Sequence, residues 1–327
     1  MKQYLQKRLE SQPLTFEEAK EALSIIGRGE ANNSQIAAFL ASYIMQPINV
    51  EELAGFREAM LDLAILVDLS EFDPMDVCGT GGDGKDTFNI STTSAFVVAG
   101  AGQKVAKHGN HGVSSSVGSS TVLEFLGVKF SNEESYLKSK IETAGICFLH
   151  APLFHPAMRF VGPIRKELGL KTFFNLLGPL LNPAKVKKQL TGVYSLEVQN
   201  LYQQLFLKTS SNFGIVYGID GYDEISLTSD FILESAKGRE IISPNNIGFT
   251  NHHQNDLHSG ATVEESAKIL ISVLENKGSK AQTEVVLANS ATALYIADPN
   301  INWQDSLLKA KESLESGSAL ESFKKFI

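Results

Sequence analysis

Between residues 79 and 92 a glycine-rich run precedes hydroxyl side chains, a combination that suits the binding of a phosphate group. Four of the six residues from 79 to 84 are glycine, and glycines let backbone N–H groups approach an anion closely. Ser91 and Thr92 stand at the predicted start of a helix, where hydroxyls suit the N-cap and amides point toward a phosphate. Taken alone, the glycines are equally typical of a flexible surface turn.

The same run has the spacing of a nucleotide-hydrolase P-loop at Gly79, Gly84 and Lys85. A P-loop requires Ser or Thr at the next position, where the hydroxyl holds magnesium. This chain has Asp86 there, and its negative charge would lie against the phosphates. The sequence therefore excludes a P-loop hydrolase.

Two further polar segments follow apolar runs that are typical of strands. Residues 107–110, KHGN, combine a cation, an imidazole and an amide ahead of a serine-rich stretch, although a polar turn explains them equally well. Asp223 and Glu224 come shortly after the apolar run FGIVYGI. Adjacent carboxylates repel each other unless a cation binds, and hard oxygen ligands suit magnesium. A solvated turn is the alternative interpretation of this pair.

The first 70 residues predict helices only. Thr15 with Glu18, and Asn49 with Glu52, have the spacing of a capping box. Each pair stands ahead of an amphipathic run. We predict a small all-helical domain over residues 1–70, with a later helical segment near residues 165–185 packing on it.

From Pro74 onward, apolar strand-like runs alternate with helical runs, the pattern of βαβ units. Such units form a parallel sheet, and open parallel sheets bind ligands beyond the carboxyl ends of their strands. We therefore predict an α/β fold, with a large domain over residues 71–327 whose central sheet is mostly parallel and flanked by helices. The polar segments described above would meet at one edge of that sheet.

Composition narrows the class of protein. The 327 residues suffice for about two domains. A net charge of −8 disfavours nucleic acid as a partner but leaves an anionic small molecule possible. Cys78 and Cys147 can form neither a disulfide framework nor a CxxC metal knuckle. The chain begins without an apolar signal segment, and no apolar run reaches the ~18 residues of a membrane span. We expect a cytoplasmic protein with no membrane partner.

Across essentially the whole chain, the segments GTGGDG, FNIST, KHGN, IRKELG, NLLGPLLNPA and DGYDEISL occur in an order that resembles the anthranilate phosphoribosyltransferase family. The resemblance implies the fold shared by class II nucleoside phosphorylases and phosphoribosyltransferases, and a homodimer formed through the helical domain. It implies transfer of the phosphoribosyl group of phosphoribosyl pyrophosphate to the amine of anthranilate, with release of pyrophosphate, in tryptophan biosynthesis. The implied cofactor is Mg²⁺, as two ions.

The resemblance also implies a role for individual residues. It implies that phosphoribosyl pyrophosphate is bound by Gly79, Gly82, Asp83, Thr87, Asn89, Ile90, Ser91, Thr92, Lys107, Ser115 and Ser119. It implies that anthranilate is bound by Gly79, Asn110 and Arg165, with His108, His155 and Pro179 along its access path. The implied ligands of Mg²⁺ are Ser91, Asp223 and Glu224. No side chain is assigned as acid or base, because an aryl amine is already neutral near pH 7.

The chain departs from the family's usual residues at His111, Gly112, Ser116, Ser120, Thr121 and Lys171. The departures between 111 and 121 remove charge beside the phosphate-binding segments. Two other functions stay open: a pyrimidine nucleoside phosphorylase, and a non-catalytic relative that binds nucleic acid. The Asp223–Glu224 pair and the stretch FNLLGPLLNP favour the transferase over the phosphorylase, and the net charge of −8 argues against nucleic acid.

Overall fold

The computed structural model describes residues 1–112, 117–209 and 212–327; Ser115 and Ser116, which the sequence analysis named, lie outside the described residues. Within these ranges seven strands form one sheet: β1 (Met75–Gly79), β2 (Val105–Gly109), β3 (Ile146–His150), β4 (Lys188–Gly192), β5 (Asn212–Gly218), β6 (Phe231–Ser235) and β7 (Gly238–Ile242). The spatial order is β3-β2-β1-β4-β5-β6-β7. Strands β3, β2, β1, β4 and β5 are parallel to one another. Strand β6 is antiparallel to β5, and β7 is antiparallel to β6. The predicted α/β class with a mostly parallel sheet is confirmed.

Fifteen α-helices occur in the described ranges: α1 (Lys2–Leu9), α2 (Phe16–Gly27), α3 (Asn33–Met45), α4 (Val50–Asp62), α5 (Ile90–Gly100), α6 (Ser119–Phe125), α7 (Glu134–Ala144), α8 (Ala151–Phe154), α9 (Met158–Leu168), α10 (Phe174–Leu177), α11 (Leu196–Thr209), α12 (Val263–Leu274), α13 (Lys280–Ala297), α14 (Trp303–Glu315) and α15 (Ser318–Phe326). The capping boxes predicted at Thr15 and Asn49 are both formed. None of the helices in the described ranges is long and apolar enough to cross a membrane.

The chain divides into two compact units. The first contains Met1–Val67 and Ala151–Pro183, and the second contains Asp68–His150 and Ala184–Ile327. The sequence predicts a helical domain over residues 1–70 and a later helical segment, near residues 165–185, that packs on it. In the structure this returning segment begins earlier, at Ala151 with α8.

An aromatic cluster packs the returning segment into the first unit. Phe173 stacks on Phe56, with ring centroids 4.4 Å apart and planes inclined by 25°. The same ring meets Tyr43 and Phe39 edge to face, at 5.1 and 6.2 Å. All four rings are buried. Burial of this much aromatic surface, together with favourable edge-to-face geometry, stabilises the association.

A buried ion pair lies beside this cluster. The Arg8 guanidinium donates to Glu52 Oε1 at 3.1 Å, and the same oxygen accepts bonds from the Tyr43 hydroxyl at 2.8 Å and the Leu14 amide at 3.0 Å. Arg8 and Glu52 are 3% and 0% exposed. Removal of either partner would leave a buried charge unpaired, so the pair would be costly to break.

In the second unit, the order of the strands creates the place where a ligand can bind. After β1 the chain adds β2 and β3 outward on one side, and then returns to place β4 on the other side of β1. Connections leave β1 and β4 in opposite directions, so a crevice opens at their carboxyl ends. Gly79 and Gly192 are register partners at that end.

The acidic segment after β5 is not a strand, although the alternating pattern of DEISLTSDFILES is typical of one. Strand β6 begins only at Phe231, and all five of its residues are buried. Residues 219–230 instead form turns. This loop is free to reach back toward the ends of β1 and β4.

Candidate active site

Asp223 lies across the carboxyl ends of β1 and β4. Its Oδ2 accepts a hydrogen bond from the Gly81 amide at 2.6 Å. A Cβ atom on Gly79 would stand 2.5 Å from that oxygen, and one on Gly192 would stand 1.4 Å from the Asp223 carbonyl oxygen. Both distances are far inside van der Waals contact. Glycine at the two strand ends therefore gives the acidic segment room to reach the glycine-rich loop.

Glu224 meets the first turn of α5. Its Oε1 accepts from the Ser91 amide at 3.0 Å, and its Oε2 lies 3.4 Å from the Thr87 hydroxyl. The sequence predicts that the hydroxyls of Ser91 and Thr92 cap this helix. In the structure the N-cap is Asn89, which makes no side-chain cap bond. A carboxylate 133 positions away satisfies the helix amide instead, as the positive end of a helix dipole favours.

The two carboxylates are crowded by a third. Burial raises the pKa of Asp223 to about 7, and the nearby negative charge of Asp83 adds to the rise. Burial raises the pKa of Glu224 as well, with the charges of Asp223 and Asp83 adding to it. Closely spaced buried carboxylates resist ionisation unless a cation joins them. The oxygen donors present are those that Mg²⁺ prefers, so this donor set fits a divalent magnesium site.

Lys107 supplies a positive charge near the Glu224 carboxylate. The residue lies inside β2, not in a turn after it, and is 2% exposed. Its ammonium donates to the Val77 carbonyl, and its Nζ lies 3.4 Å from the Ser91 hydroxyl. The positive charge of Lys107 opposes the rise in the pKa of Glu224. A buried cation is thus held between the end of β1 and the start of α5.

The loop between β1 and α5 is held by a distant segment to which the sequence analysis gave no role. The Asp86 carbonyl accepts from the Ser259 amide at 3.0 Å, and the Phe88 amide donates to the Leu257 carbonyl at 3.0 Å. The imidazole of His258 lies 3.3 Å from the Asp86 carboxylate. Since these partners are about 170 positions apart in sequence, no local spacing could have indicated them.

Asn289 on α13 fixes the acidic segment in a similar way. Its side-chain amide donates to the Ile225 carbonyl at 2.8 Å and accepts from the Ile225 amide at 3.2 Å. Asn289 itself is 5% exposed. Two bonds to one backbone unit hold the residue that follows Glu224, and so restrict where that carboxylate can point. The sequence offers no signal for this role, because Asn289 and Ile225 are 64 positions apart in the chain.

Other predicted residues of the second unit surround this centre. The Ser119 hydroxyl donates to the Asn110 carbonyl at 3.2 Å, and the Asn89 side chain donates to the Val117 carbonyl at 3.2 Å. His108 is buried in β2, where its amide donates to the Asp76 carboxylate at 3.1 Å. Hydrogen bonds and charge interactions connect six of the predicted residues into one set: Asp83, Thr87, Ser91, Lys107, Asp223 and Glu224. Gly82 and Ile90 lie in the loop after β1 and at the start of α5, and Thr92 is buried in that helix.

Three predicted residues belong to the first unit. Arg165 on α9 donates to the Asn175 side chain at 3.3 Å, and its guanidinium lies 5.3 Å from the centre of the Phe174 ring. The buried Nε of Arg165 has no hydrogen-bond partner among the described residues, and burial lowers the pKa of the guanidinium. His155 Nε2 lies 3.0 Å from the Leu181 carbonyl, and burial lowers the pKa of His155 to about 4. Pro179 is buried in a short 3₁₀ turn.

Comparison with known proteins identifies a helical domain and an α/β domain in this chain. The α/β domain of a glycosyl transferase family matches residues 71–320, and the helical bundle domain of a glycosyl transferase family matches residues 2–64. The chain is 53% identical over 327 residues, the full length of both chains, to the anthranilate phosphoribosyltransferase of Cytophaga hutchinsonii. It is 46% identical over 327 residues to that of Bacteroides thetaiotaomicron, covering 100% of this chain and 98% of the relative.

Two solved structures have the same fold. The anthranilate phosphoribosyltransferase of Thermus thermophilus has a TM-score of 0.92 and 32% identity, covering 98% of this chain and 97% of that chain. The enzyme of Saccharomyces cerevisiae in complex with phosphoribosyl pyrophosphate and magnesium also has a TM-score of 0.92, with 31% identity. In that comparison 99% of this chain and 96% of the yeast chain are covered.

Proposed function

Because the chain belongs to the anthranilate phosphoribosyltransferase family, whose members are pentosyltransferases, we propose that it joins the phosphoribosyl group of phosphoribosyl pyrophosphate to the amine of anthranilate and releases pyrophosphate. The observation that carries the proposal is the centre formed by Asp223, Glu224 and Asp83 at the carboxyl ends of β1 and β4. Buried carboxylates beside a glycine-rich loop and a helix N-terminus suit a substrate that carries both phosphate groups and magnesium.

The second unit binds phosphoribosyl pyrophosphate in this proposal. Amides of the loop after β1 and the N-terminus of α5 donate to phosphate oxygens, and Lys107 adds a fixed positive charge. Ser91, Asp223 and Glu224 would hold Mg²⁺, as two ions. Bound Mg²⁺ supplies the neutralising charge that a departing pyrophosphate requires. Hydroxyls and amides implied by the resemblance, among them Thr87 and Asn89, orient the ribose.

The first unit supplies the residues proposed for anthranilate. Arg165 carries a guanidinium that can pair with a benzoate carboxylate through two N–H bonds, and its buried Nε lacks a partner among the described residues. His155 and Pro179 lie along the proposed access path of the aryl ring. With a folded-state pKa of about 4, His155 is neutral at pH 7 and adds no second positive charge.

The chemistry requires positioning and not a general base. The amine lone pair of anthranilate attacks C1 of the ribose, the bond between C1 and the pyrophosphate oxygen breaks, and the amine proton leaves to solvent. Holding two reactants at the right separation and stabilising the leaving group supply most of the rate enhancement in such a reaction. Lys107 and the proposed magnesium ligands of the second unit are equipped to stabilise the departing pyrophosphate.

The oligomeric state and the location in the cell are also proposals. We expect a homodimer formed through the first unit, since Met45 and Ile44 at the end of α3 are 83% and 43% exposed and exposed apolar side chains favour an interface. Location in the cytoplasm and a role in tryptophan biosynthesis fit a biosynthetic enzyme of this family. The relatives described above favour the transferase over the phosphorylase and the nucleic-acid-binding protein.

A steady-state assay tests the proposal. Anthranilate and phosphoribosyl pyrophosphate are supplied with and without Mg²⁺, and phosphorolysis of uridine is measured in parallel. We expect magnesium-dependent loss of anthranilate fluorescence and release of pyrophosphate, with no phosphorolysis. Phosphorolysis of uridine without transfer to anthranilate would contradict the proposal.

A further inference from the structure

Three side chains of the second unit lie close together near the carboxyl end of β2, beside Asn110. His111 follows β2, Glu124 lies in α6, and His150 ends β3. One ligand atom from each of the three lies within 4.8 Å of the others. His111 Nδ1 and Glu124 Oε2 are already 3.8 Å apart. The phosphate and magnesium centre proposed above uses none of these residues.

The spacing approaches that of a metal centre. Ligands at about 2.0–2.1 Å from a tetrahedral Zn²⁺ are separated from each other by roughly 3.3 Å. The separation between His111 and Glu124 is within about half an ångström of that value. His111 and Glu124 are exposed, so rotation of their side chains can close the remaining distance.

The ring of His150 is held by two neighbouring side chains. Its Nδ1 lies 2.9 Å from the Ser120 hydroxyl, and its ring stacks on Phe130 at 4.5 Å with planes inclined by 19°. When Nδ1 donates to that hydroxyl, Nε2 carries the lone pair that can bind a metal ion. His150 is 7% exposed, so these contacts restrict the orientation of its ring.

We propose that His111, Glu124 and His150 form a second metal site, for a transition-metal ion of the Zn²⁺ type. Two imidazoles and one carboxylate suit Zn²⁺, whereas Mg²⁺ prefers a complete set of oxygen ligands. Three protein ligands leave a fourth position for water or an anion. A bound ion would join the end of β2 to α6 and to the end of β3, and would add positive charge next to Asn110.

The test is a titration of the chelator-treated full-length protein with Zn²⁺ alone and, separately, with Co²⁺. We expect one ion to bind at this site, and Co²⁺ to give visible d–d absorption with intensity typical of four-coordinate ligation. His111→Ala and Glu124→Gln should each weaken binding by about 100-fold or more through loss of a ligand. Ser120→Ala should weaken binding by roughly 10-fold, because it removes the group that orients His150.

Two control variants test whether the metal ion binds at this site and not elsewhere. The double variant Asp223→Asn with Glu224→Gln removes the proposed magnesium centre and should leave the Co²⁺ spectrum unchanged. His253→Ala removes an exposed histidine from another part of the second unit and should also have no effect. Binding that survives both His111→Ala and Glu124→Gln, or that disappears in the double variant, would overturn the proposal. Since activity is not the readout, the result is independent of the proposed transferase function.

Discussion

The Gly81 amide donates a hydrogen bond of 2.6 Å to the Asp223 carboxylate, across 142 positions of sequence. This bond joins the glycine-rich loop after β1 to the acidic loop after β5. It forms because β4 lies between the two strands and ends in Gly192, which has no side chain to obstruct the approach. The proposed phosphate-binding and metal-binding segments are therefore physically connected, and a substitution in one segment should also displace the other.

The dependence of turnover on Mg²⁺ should require Asp223 and Glu224. We expect Asp223→Asn with Glu224→Gln to abolish magnesium-dependent turnover and leave the fold intact, because the amides keep the shape of the carboxylates and lose their charge. Initial rates over a range of Mg²⁺ concentrations, with a circular dichroism spectrum, provide the measurement. If the double variant keeps the magnesium dependence of the parent, these residues are not metal ligands.

Gly192 should tolerate no side chain. The Cβ atom of Gly192→Ala would stand 1.4 Å from the Asp223 carbonyl oxygen, so the acidic loop must move or β4 must distort. We expect a loss of about 3 kcal/mol in unfolding free energy and reduced Mg²⁺ affinity. Chemical denaturation measures the first and calorimetry the second.

Gly162→Ala is the matched control for this substitution, since nothing lies within 4 Å of the added atom and the residue is within α9. It should leave stability unchanged or slightly raised. Equal stability of the two alanine variants would show that the acidic loop adjusts freely.

Lys107 should be required for binding phosphoribosyl pyrophosphate. Lys107→Met keeps the length of the side chain and removes the charge that lies beside Ser91. Loss of a charge-assisted contact should raise the Kd by roughly 10- to 100-fold. Lys104→Met, just before β2, is the control, and its Kd should match the parent value. Calorimetry with phosphoribosyl pyrophosphate and Mg²⁺ measures both; an unchanged Kd for Lys107→Met would refute the assignment.

Arg165 should act on the aryl acid and not on the sugar phosphate. Arg165→Ala is expected to raise the KM for anthranilate by one to two decades, roughly 1.5–3 kcal/mol, and to change the KM for the other substrate little. Arg165→Lys should restore only part of the loss, because an ammonium cannot form the paired bonds of a guanidinium. Arg159→Ala on the same helix is the control. Equal rises in both KM values would mean that Arg165 only supports the local structure.

Stability should depend on pH through His155. Its pKa is about 4 in the folded protein and about 6.5 in an unfolded chain, so the unfolded state binds the proton more readily. The contribution is complete above pH 6.5 and is lost as the pH falls toward 4, by about 3 kcal/mol in total. Denaturation curves of the parent and of His155→Gln isolate this dependence by difference. A His155→Gln variant that keeps the parent's pH profile would contradict the prediction.

Local patterns in the sequence were sufficient for much of the fold. The capping boxes at Thr15 and Asn49 and the alternation of strands and helices after Pro74 depend on neighbouring residues, and the structure bears them out. The contacts that complete the site are not local. Glu224 at the amide of Ser91, and Asn289 against Ile225, depend on which strands become neighbours, and no spacing in the chain encodes that directly.

The returning segment was anticipated only in part for a related reason. Its membership of the first unit depends on Phe173 meeting Phe56, and an isolated phenylalanine run gives no indication of its partner. The apolar stretch ICFLHAPL has the pattern of one strand, although β3 ends at His150 and a helix follows at once. Short apolar runs are ambiguous between strand and helix unless their tertiary partners are known.

The two-part construction of the first unit has a consequence for how the protein is made. On the ribosome, Phe39, Tyr43 and Phe56 emerge early, but their partner Phe173 is synthesised only after all of residues 68–150. A nascent chain that ends at residue 150 therefore has three of the four rings, which can pack on one another but lack Phe173. We expect the aromatic surface that Phe173 covers to stay exposed until that residue is synthesised, and a pause of the ribosome before residue 173 would prolong this exposure.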